Sequence, residues 1–280
     1  NYIIIQSMTI KVITRVLITV IFSLIPLIVL PQKINVVSPN GKTEVELLSG
    51  QDAGGAGWFL KLNYINDGQT SEAIPRIALG LSRSDQDFLK DLKLVKAGKV
   101  VAVEEQYTAI HGKRSLCSNS ASERVFYFEN PDKAKMNVIV RAYNDGMAFR
   151  YEFPDREGSY VVLDEFTSYS IPPSAKRWLE KWNAANEGLY STMNDDNVQQ
   201  SWCYPALFNA ADDACWYLIH EADVDRNYCG SKLSNTDEKS KYKITFPDKR
   251  DGNGLGESQP EISLPWKSPW RIVVMGSLAD

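Results

Sequence analysis

Two histidines are all that the 280 residues contain, and that scarcity excludes a good deal. A Ser-His-Asp or Cys-His hydrolase site would have to be built on His111 or His220, and no GxSxG-type signature accompanies either. The four cysteines, Cys117, Cys203, Cys215 and Cys229, show no CxxC spacing, which removes a zinc ribbon and a thioredoxin-like motif. Net positive charge is missing as well. With 31 Lys and Arg against 35 Asp and Glu the formal charge is −4, and no basic stripe interleaved with aromatics exists to follow a phosphate backbone. Nucleic acid is not an expected partner. The Gly-rich stretches "GQDAGGAGW" and "DKRDGNGLGESQPE" lack the strand–glycines–helix context of a phosphate-binding loop and read as surface loops.

What the chain does have is core-forming material, 44% hydrophobic and 11% aromatic residues, enough for one large domain or two small ones. From Val36 onward this material is distributed as strands. "TEVELL", "WFLKLNYI", "KVVAVEEQYTAI" and "RVFYFEN" are short, rich in β-branched or aromatic residues and bounded by turn residues. "MNVIVRAYNDGMAFRYEFP" predicts a hairpin, with Asn144, Asp145 and Gly146 supplying the tolerance of positive φ that a tight turn requires. On its second arm Met147, Phe149, Tyr151 and Phe153 share the face expected to enter the core. Further strands are predicted at "YVVLDEFTSYSI", "ACWYLIHEA", "KYKITF" and "PWRIVVMG". A helix is expected only briefly, around Ser174 to Lys181. With no repeat and no alternating helices, the pattern points to an all-β fold, a large antiparallel β-sandwich with short helical insertions.

The N-terminus carries a different signal. Lys11 and Arg15 precede an apolar run from Val16 to Leu30, the charge order of a secretory signal. At about 15 residues the run is short for a membrane-spanning helix. Residues 8–32 are therefore expected to be a signal peptide, with no stable membrane insertion once it is removed. Pro26 within the run and the want of a small-x-small cleavage site leave an uncleaved anchor as the alternative. The residues before Met8 read as sequence upstream of the true start. Export in turn leaves the cysteines open between disulfides, in any of three pairings, and buried free thiols.

Five segments occur in a particular order: "SPNGK" (Ser38–Lys42), "RAYNDGMAFRYEFP" (Arg141–Pro154), "WLEKWNAANEGLY" (Trp178–Tyr190), "YLIHEADVDRNY" (Tyr217–Tyr228) and "SPWRIVVMG" (Ser268–Gly276). In this the chain, from about Val36 to its last residue, resembles the N-terminal domain of glycoside hydrolase family 97. The resemblance implies that residues 33–280 form a supersandwich of the galactose-mutarotase type, the first domain of a longer enzyme, with the sequence ending near the junction to a (β/α)₈ barrel. It also implies an exported, calcium-dependent α-glucosidase or α-galactosidase of the bacterial periplasm or outer surface, acting on α-linked oligosaccharides. Glycoside hydrolysis needs two carboxyl groups flanking the scissile bond. The resemblance places both in the barrel, so no catalytic residue is assigned here and the isolated chain is expected to be inactive.

The same resemblance implies that Glu187 supplies one ligand to a calcium ion shared with the barrel. His220 and Glu221 end an apolar strand, where a sandwich presents polar side chains to a cleft or a domain interface; the family shows a similar His-Glu-Ala, and the resemblance gives neither residue a chemical role. Arg141, Arg150 and Glu152 read as a cross-strand charge cluster. Trp178, Trp182 and Trp202 are candidates for sugar stacking in a chain where most tryptophans belong to the core. The alternative is a stand-alone carbohydrate-binding sandwich, and a third reading is an envelope protein unrelated to sugars. A barrel-packing domain should expose a contiguous apolar patch beside Glu187, whereas a self-sufficient module should be polar there.

Overall fold

A computed structural model describes residues 34–52, 55–194, 197–210, 214–251 and 257–279. The expected signal segment 8–32 lies outside them. Three sheets account for the described strands, and every strand pairing is antiparallel. An eight-stranded sheet runs in the order Asn35–Val37, Thr43–Asp52, Gly55–Asn66, Gln69–Ala78, Ser168–Ser170, Lys241–Thr245, Lys232–Ser234, Ser201–Trp202. An eleven-stranded sheet has the path Tyr190–Met193, Lys176–Glu180, Ala206–Ala210, Cys215–Ala222, Trp270–Gly276, Gly146–Phe153, Lys135–Tyr143, Leu116–Glu129, Lys93–Ala97. Trp266–Lys267 and Val101–Thr108 pair off that path. A four-stranded sheet joins Glu261–Ser263, Ser159–Glu165, Leu81–Arg83 and Asp87–Phe88.

Alternation along the strands builds the core between the two large sheets. Leu60, Leu62, Ile77, Tyr169, Tyr242 and Ile244 face inward from the first, and Val138, Val140, Phe149, Tyr151, Phe208, Tyr217 and Val273 from the second. Phe208 meets Tyr242 edge to face across the gap, with ring centroids 5.3 Å apart. The Met147–Phe153 arm enters the core on the expected face. Its hairpin register, Tyr143 opposite Gly146, leaves Asn144 and Asp145 as the turn. The turn is pinned from far away in sequence: the Asn40 backbone N–H donates to Asn144 Oδ1 at 3.0 Å, and Asn40 Nδ2 to the Asn144 carbonyl at 3.1 Å. Asn40 itself is held in its tight turn by Ser38 and by Gly41 at φ +75°.

Two expectations are corrected and one strand is added. Residues 176–180 form a strand, not a helix, and no helix is found among the described residues. Helix propensity in "AKRWLEK" is outweighed by ladders to Leu207–Asn209 on one side and Tyr190–Met193 on the other. Arg177, fully buried, fixes the entry to this strand by donating to the carbonyls of Pro172, Pro173 and Ala175 and to the Tyr242 hydroxyl. "GQDAGGAGW" is not a free loop but the end of a hairpin whose ladder persists to Asp52 opposite Gly55. Finally, Gln69–Ala78 is a strand that no pattern announced. Its Pro75 sits where the register slips between Ile74 and Ile77, a position that needs no ladder donor.

A second fully buried guanidinium, besides that of Arg177, lies inside this apolar frame. Arg271, 0% exposed, points inward from the Trp270–Gly276 strand. Its Nη2 and Nε donate to Glu165 at 2.5 and 2.9 Å, and its Nη1 donates to Glu221 Oε2 at 2.5 Å. Burial alone would lower the pKa of the guanidinium, but the Glu165 carboxylate against it raises it well above the ordinary arginine value. Tyr228 completes the cluster with a 2.8 Å bond to Glu165. All four cysteines are free, and burial pushes the Cys215 and Cys229 thiols up to about 12.

Two outcomes are expected. Replacing Arg271 by Met strands Glu165 in the core and costs about 3–5 kcal/mol in chemical denaturation, whereas Arg271→Met with Glu165→Leu recovers much of that loss. In the native protein at pH 8 a thiol reagent modifies the half-buried Cys117, at the exposed start of the Leu116–Glu129 strand, well before the buried Cys203 or Cys215, which become reactive only on unfolding.

Candidate functional site

The "WLEKWNAANEGLY" segment is built around one buried carboxylate. Glu180, 3% exposed, ends the Lys176–Glu180 strand. Its Oε1 accepts from Asn183 Nδ2 at 2.8 Å and from the Gly188 backbone N–H at 2.5 Å. Asn183 closes the ring through its other end, where Oδ1 accepts from the Glu187 N–H at 3.4 Å. The Asn186 N–H donates to the Asn183 carbonyl at 3.2 Å, and Asn186 takes φ +52°, a left-handed conformation that asparagine tolerates. The chain thus turns back on itself over residues 183–188 and re-enters the sheet at Tyr190, opposite Glu180. Gly188 is required by space: an added Cβ would lie 2.7 Å from Glu180 Oε1 and 3.1 Å from Asn183 Nδ2.

The start of the loop is latched separately. Trp182 N–H bonds Ser201 O at 2.9 Å, and its indole Nε1 donates to Asp251 Oδ1 at 3.0 Å. Lys232 Nζ donates to the other Asp251 oxygen at 2.8 Å and stands over the Trp182 ring at 4.8 Å. Burial works against ionisation of Asp251, but the Lys232 and Trp182 bonds together hold its carboxyl below the ordinary value.

Glu187 stands at the apex of this loop, exposed, and its side chain has no partner among the described residues. A calcium ion takes six to eight oxygen ligands, and among the described residues no group of three or more His, Cys, Asp or Glu gathers anywhere to hold a metal. The unpaired, solvent-facing carboxylate of Glu187 could supply one such ligand, not a full set.

His220 and Glu221, adjacent in sequence, are separated by the alternation of their strand. Glu221 turns inward, where Arg271 and both the N–H (2.8 Å) and hydroxyl (2.6 Å) of Ser231 occupy its carboxylate. His220 is exposed on the outer face, tilted against Tyr204 with centroids 5.8 Å apart. Arg141 and Arg150 lie over the Trp270 ring at 4.7 and 4.1 Å, and are tied to Glu105, Glu123 and Asp223. Glu152 bonds Asn137 and Lys267 instead. Of the three tryptophans, Trp202 is core, with its indole on Asn235. Trp178 stacks on Trp216, centroids 4.9 Å apart, on the outer face of the larger sheet. Arg271, Glu165 and Glu180 were not anticipated. For Arg271 a signal existed: it shares strand parity with Val273 and Met275, so the same alternation that buries them buries the guanidinium.

Residues 36–280 match the family model described as Glycosyl-hydrolase 97 N-terminal. The chain belongs to this family. A probable retaining α-galactosidase of Streptomyces bingchenggensis (strain BCW-1) is 27% identical over 202 residues, 72% of this chain but 30% of that protein. A β-arabinopyranosidase of known structure superposes with TM-score 0.78 at 26% identity, covering 88% of this chain and 40% of the other. A family 97 glycoside hydrolase from Pseudoalteromonas sp. strain K8, solved with acarbose, superposes with TM-score 0.69 at 20% identity, over 86% and 35% of the two chains, and supports the fold. The family 97 N-terminal chain described here thus spans less than half the length of these relatives.

Replacing Gly188 by Ala is expected to displace Asn183 or Glu180 and loosen the loop, so that limited proteolysis cleaves near residue 188 faster than in the parent while far-UV circular dichroism is unchanged.

Proposed function

We propose that this chain is the N-terminal domain of an exported α-glycosidase, that it packs against a catalytic barrel through the outer face of its larger sheet, and that Glu187 ligates a calcium ion shared with that barrel. The observation that carries the reading is the surface around Glu187. Leu189 and Tyr190 beside it are 90% and 45% exposed. Cross-strand register then leads across the outer face from Trp178 to Leu207, Leu218 and Val274, the last 47% exposed. Trp216, stacked on Trp178, flanks this row. An apolar strip continuous with a loop that offers a free carboxylate is what a buried domain junction beside a metal site requires, and it favours this reading over a self-contained sugar-binding module.

In the proposed enzyme the two reacting carboxyl groups belong to the barrel. The calcium ion would orient and polarise the sugar beside them, and this domain's part is to present Glu187 and to keep water from the junction. The substrate is a terminal α-linked galactose or glucose, galactose being supported by the name of the probable retaining α-galactosidase, and the residues 8–32 signal would bring the enzyme to the periplasm or cell surface.

The test is Glu187→Gln in the full-length protein. Calcium binding by calorimetry and hydrolysis of nitrophenyl α-galactoside and α-glucoside are both expected to fall, with the unfolding transition unchanged. Parental calcium affinity in the variant, or a parent without activity on either glycoside, would overturn the reading.

A further inference from the structure

We infer that Glu180 is the positioning residue of the Glu187 site, acting both as the template on which the 183–188 loop is wound and as a second negative charge held at the base of that loop. The inference rests on the Glu187 reading. Glu180 is nearly inaccessible, yet no lysine or arginine pairs with it among the described residues, and the groups that bond its carboxylate are the Asn183 amide and the Gly188 N–H. A buried carboxylate satisfied by neutral donors alone is costly relative to one with a counter-charge. Glu165, buried like Glu180, has one: it shares Arg271 with the half-buried Glu221. At Glu180 a cation bound through Glu187, on the loop that Glu180 holds, would supply it.

The geometry ties this charge to Glu187. Asn183 spans the two glutamates, donating to the Glu180 carboxylate and accepting the Glu187 N–H. Gly188, adjacent to Glu187, bonds Glu180 directly and has no room for a side chain. The backbone on both sides of Glu187 is therefore fixed by one anion, which pre-organises the ligand before any metal arrives. The other end of Glu180 is equally constrained, because its carbonyl accepts the Cys203 N–H at 2.9 Å.

Three variants of the full-length protein separate the two roles, read by calcium affinity in calorimetry and by hydrogen exchange over residues 183–190. Glu180→Gln retains an acceptor oxygen for Gly188 but removes the charge. Calcium affinity is expected to drop roughly ten-fold or more with exchange near the parental rate. Asn183→Ala keeps the charge and unties the loop, so exchange should accelerate at 186–189 and affinity fall as well. If Glu187→Gln weakens calcium while Glu180→Gln and Asn183→Ala bind it like the parent, Glu180 is a structural residue only and the inference fails. If Glu187→Gln itself binds calcium like the parent, the proposed metal site and this inference fail together.

Discussion

A single guanidinium sits where the sheets of this sandwich converge, and the arrangement around it depends on that charge being neutralised. Arg271 comes from the larger sheet, Glu221 from the neighbouring strand of the same sheet and Glu165 from the small four-stranded sheet. Desolvating three charged groups is expensive, and the expense is offset only because each guanidinium nitrogen has an acceptor and each carboxylate has more than one donor. Such a cluster tolerates one geometry. It therefore specifies how the small sheet docks on the large one, a question that the surrounding Phe, Tyr and Trp rings, which can repack, would answer less sharply.

Much of this architecture was legible. Strong alternation in Gly146–Phe153, Cys215–Ala222 and Trp270–Gly276 declared strands and their inward faces, because one-sided burial imposes a period of two. Where the local signal failed, the cause is tertiary. Lys176–Glu180 carries helix-favouring residues and becomes a strand because both its edges find ladders. Gln69–Ala78 hides behind a polar start and a proline absorbed at a register slip. The candidate site was legible only at Glu187, through family resemblance. The device that shapes the loop joins Glu180 to Gly188 and Asn183 through space, and no pattern of spacing encodes a carboxylate accepting a backbone N–H eight residues on.

Most of the segments that carry the family resemblance turn out to serve the frame. "SPNGK" and the Asn-Asp-Gly turn meet through Asn40 and Asn144. "PWR" supplies the buried arginine, and Glu221 of "HEA" its partner. The exception is "NEG", which the frame holds outward rather than inward. This division fits a domain whose own contribution to chemistry is one exposed group, with the rest of its distinctive residues spent on holding that group steady.

The strand that delivers Arg271 lies between Cys215–Ala222 and Gly146–Phe153, near the middle of the larger sheet, yet it is the last strand described along the chain. Glu165 waits 106 positions for its partner. During synthesis the two flanks of the sheet are therefore made before the piece that joins them, each showing an unpaired edge, while Glu221 on one flank and Glu165 on the small sheet still lack their arginine. Closing so large a loop is entropically slow, and the half-finished sheet is the species most open to pairing with a neighbour. A nascent chain of this kind gains by staying unfolded until the Trp270–Gly276 strand has emerged.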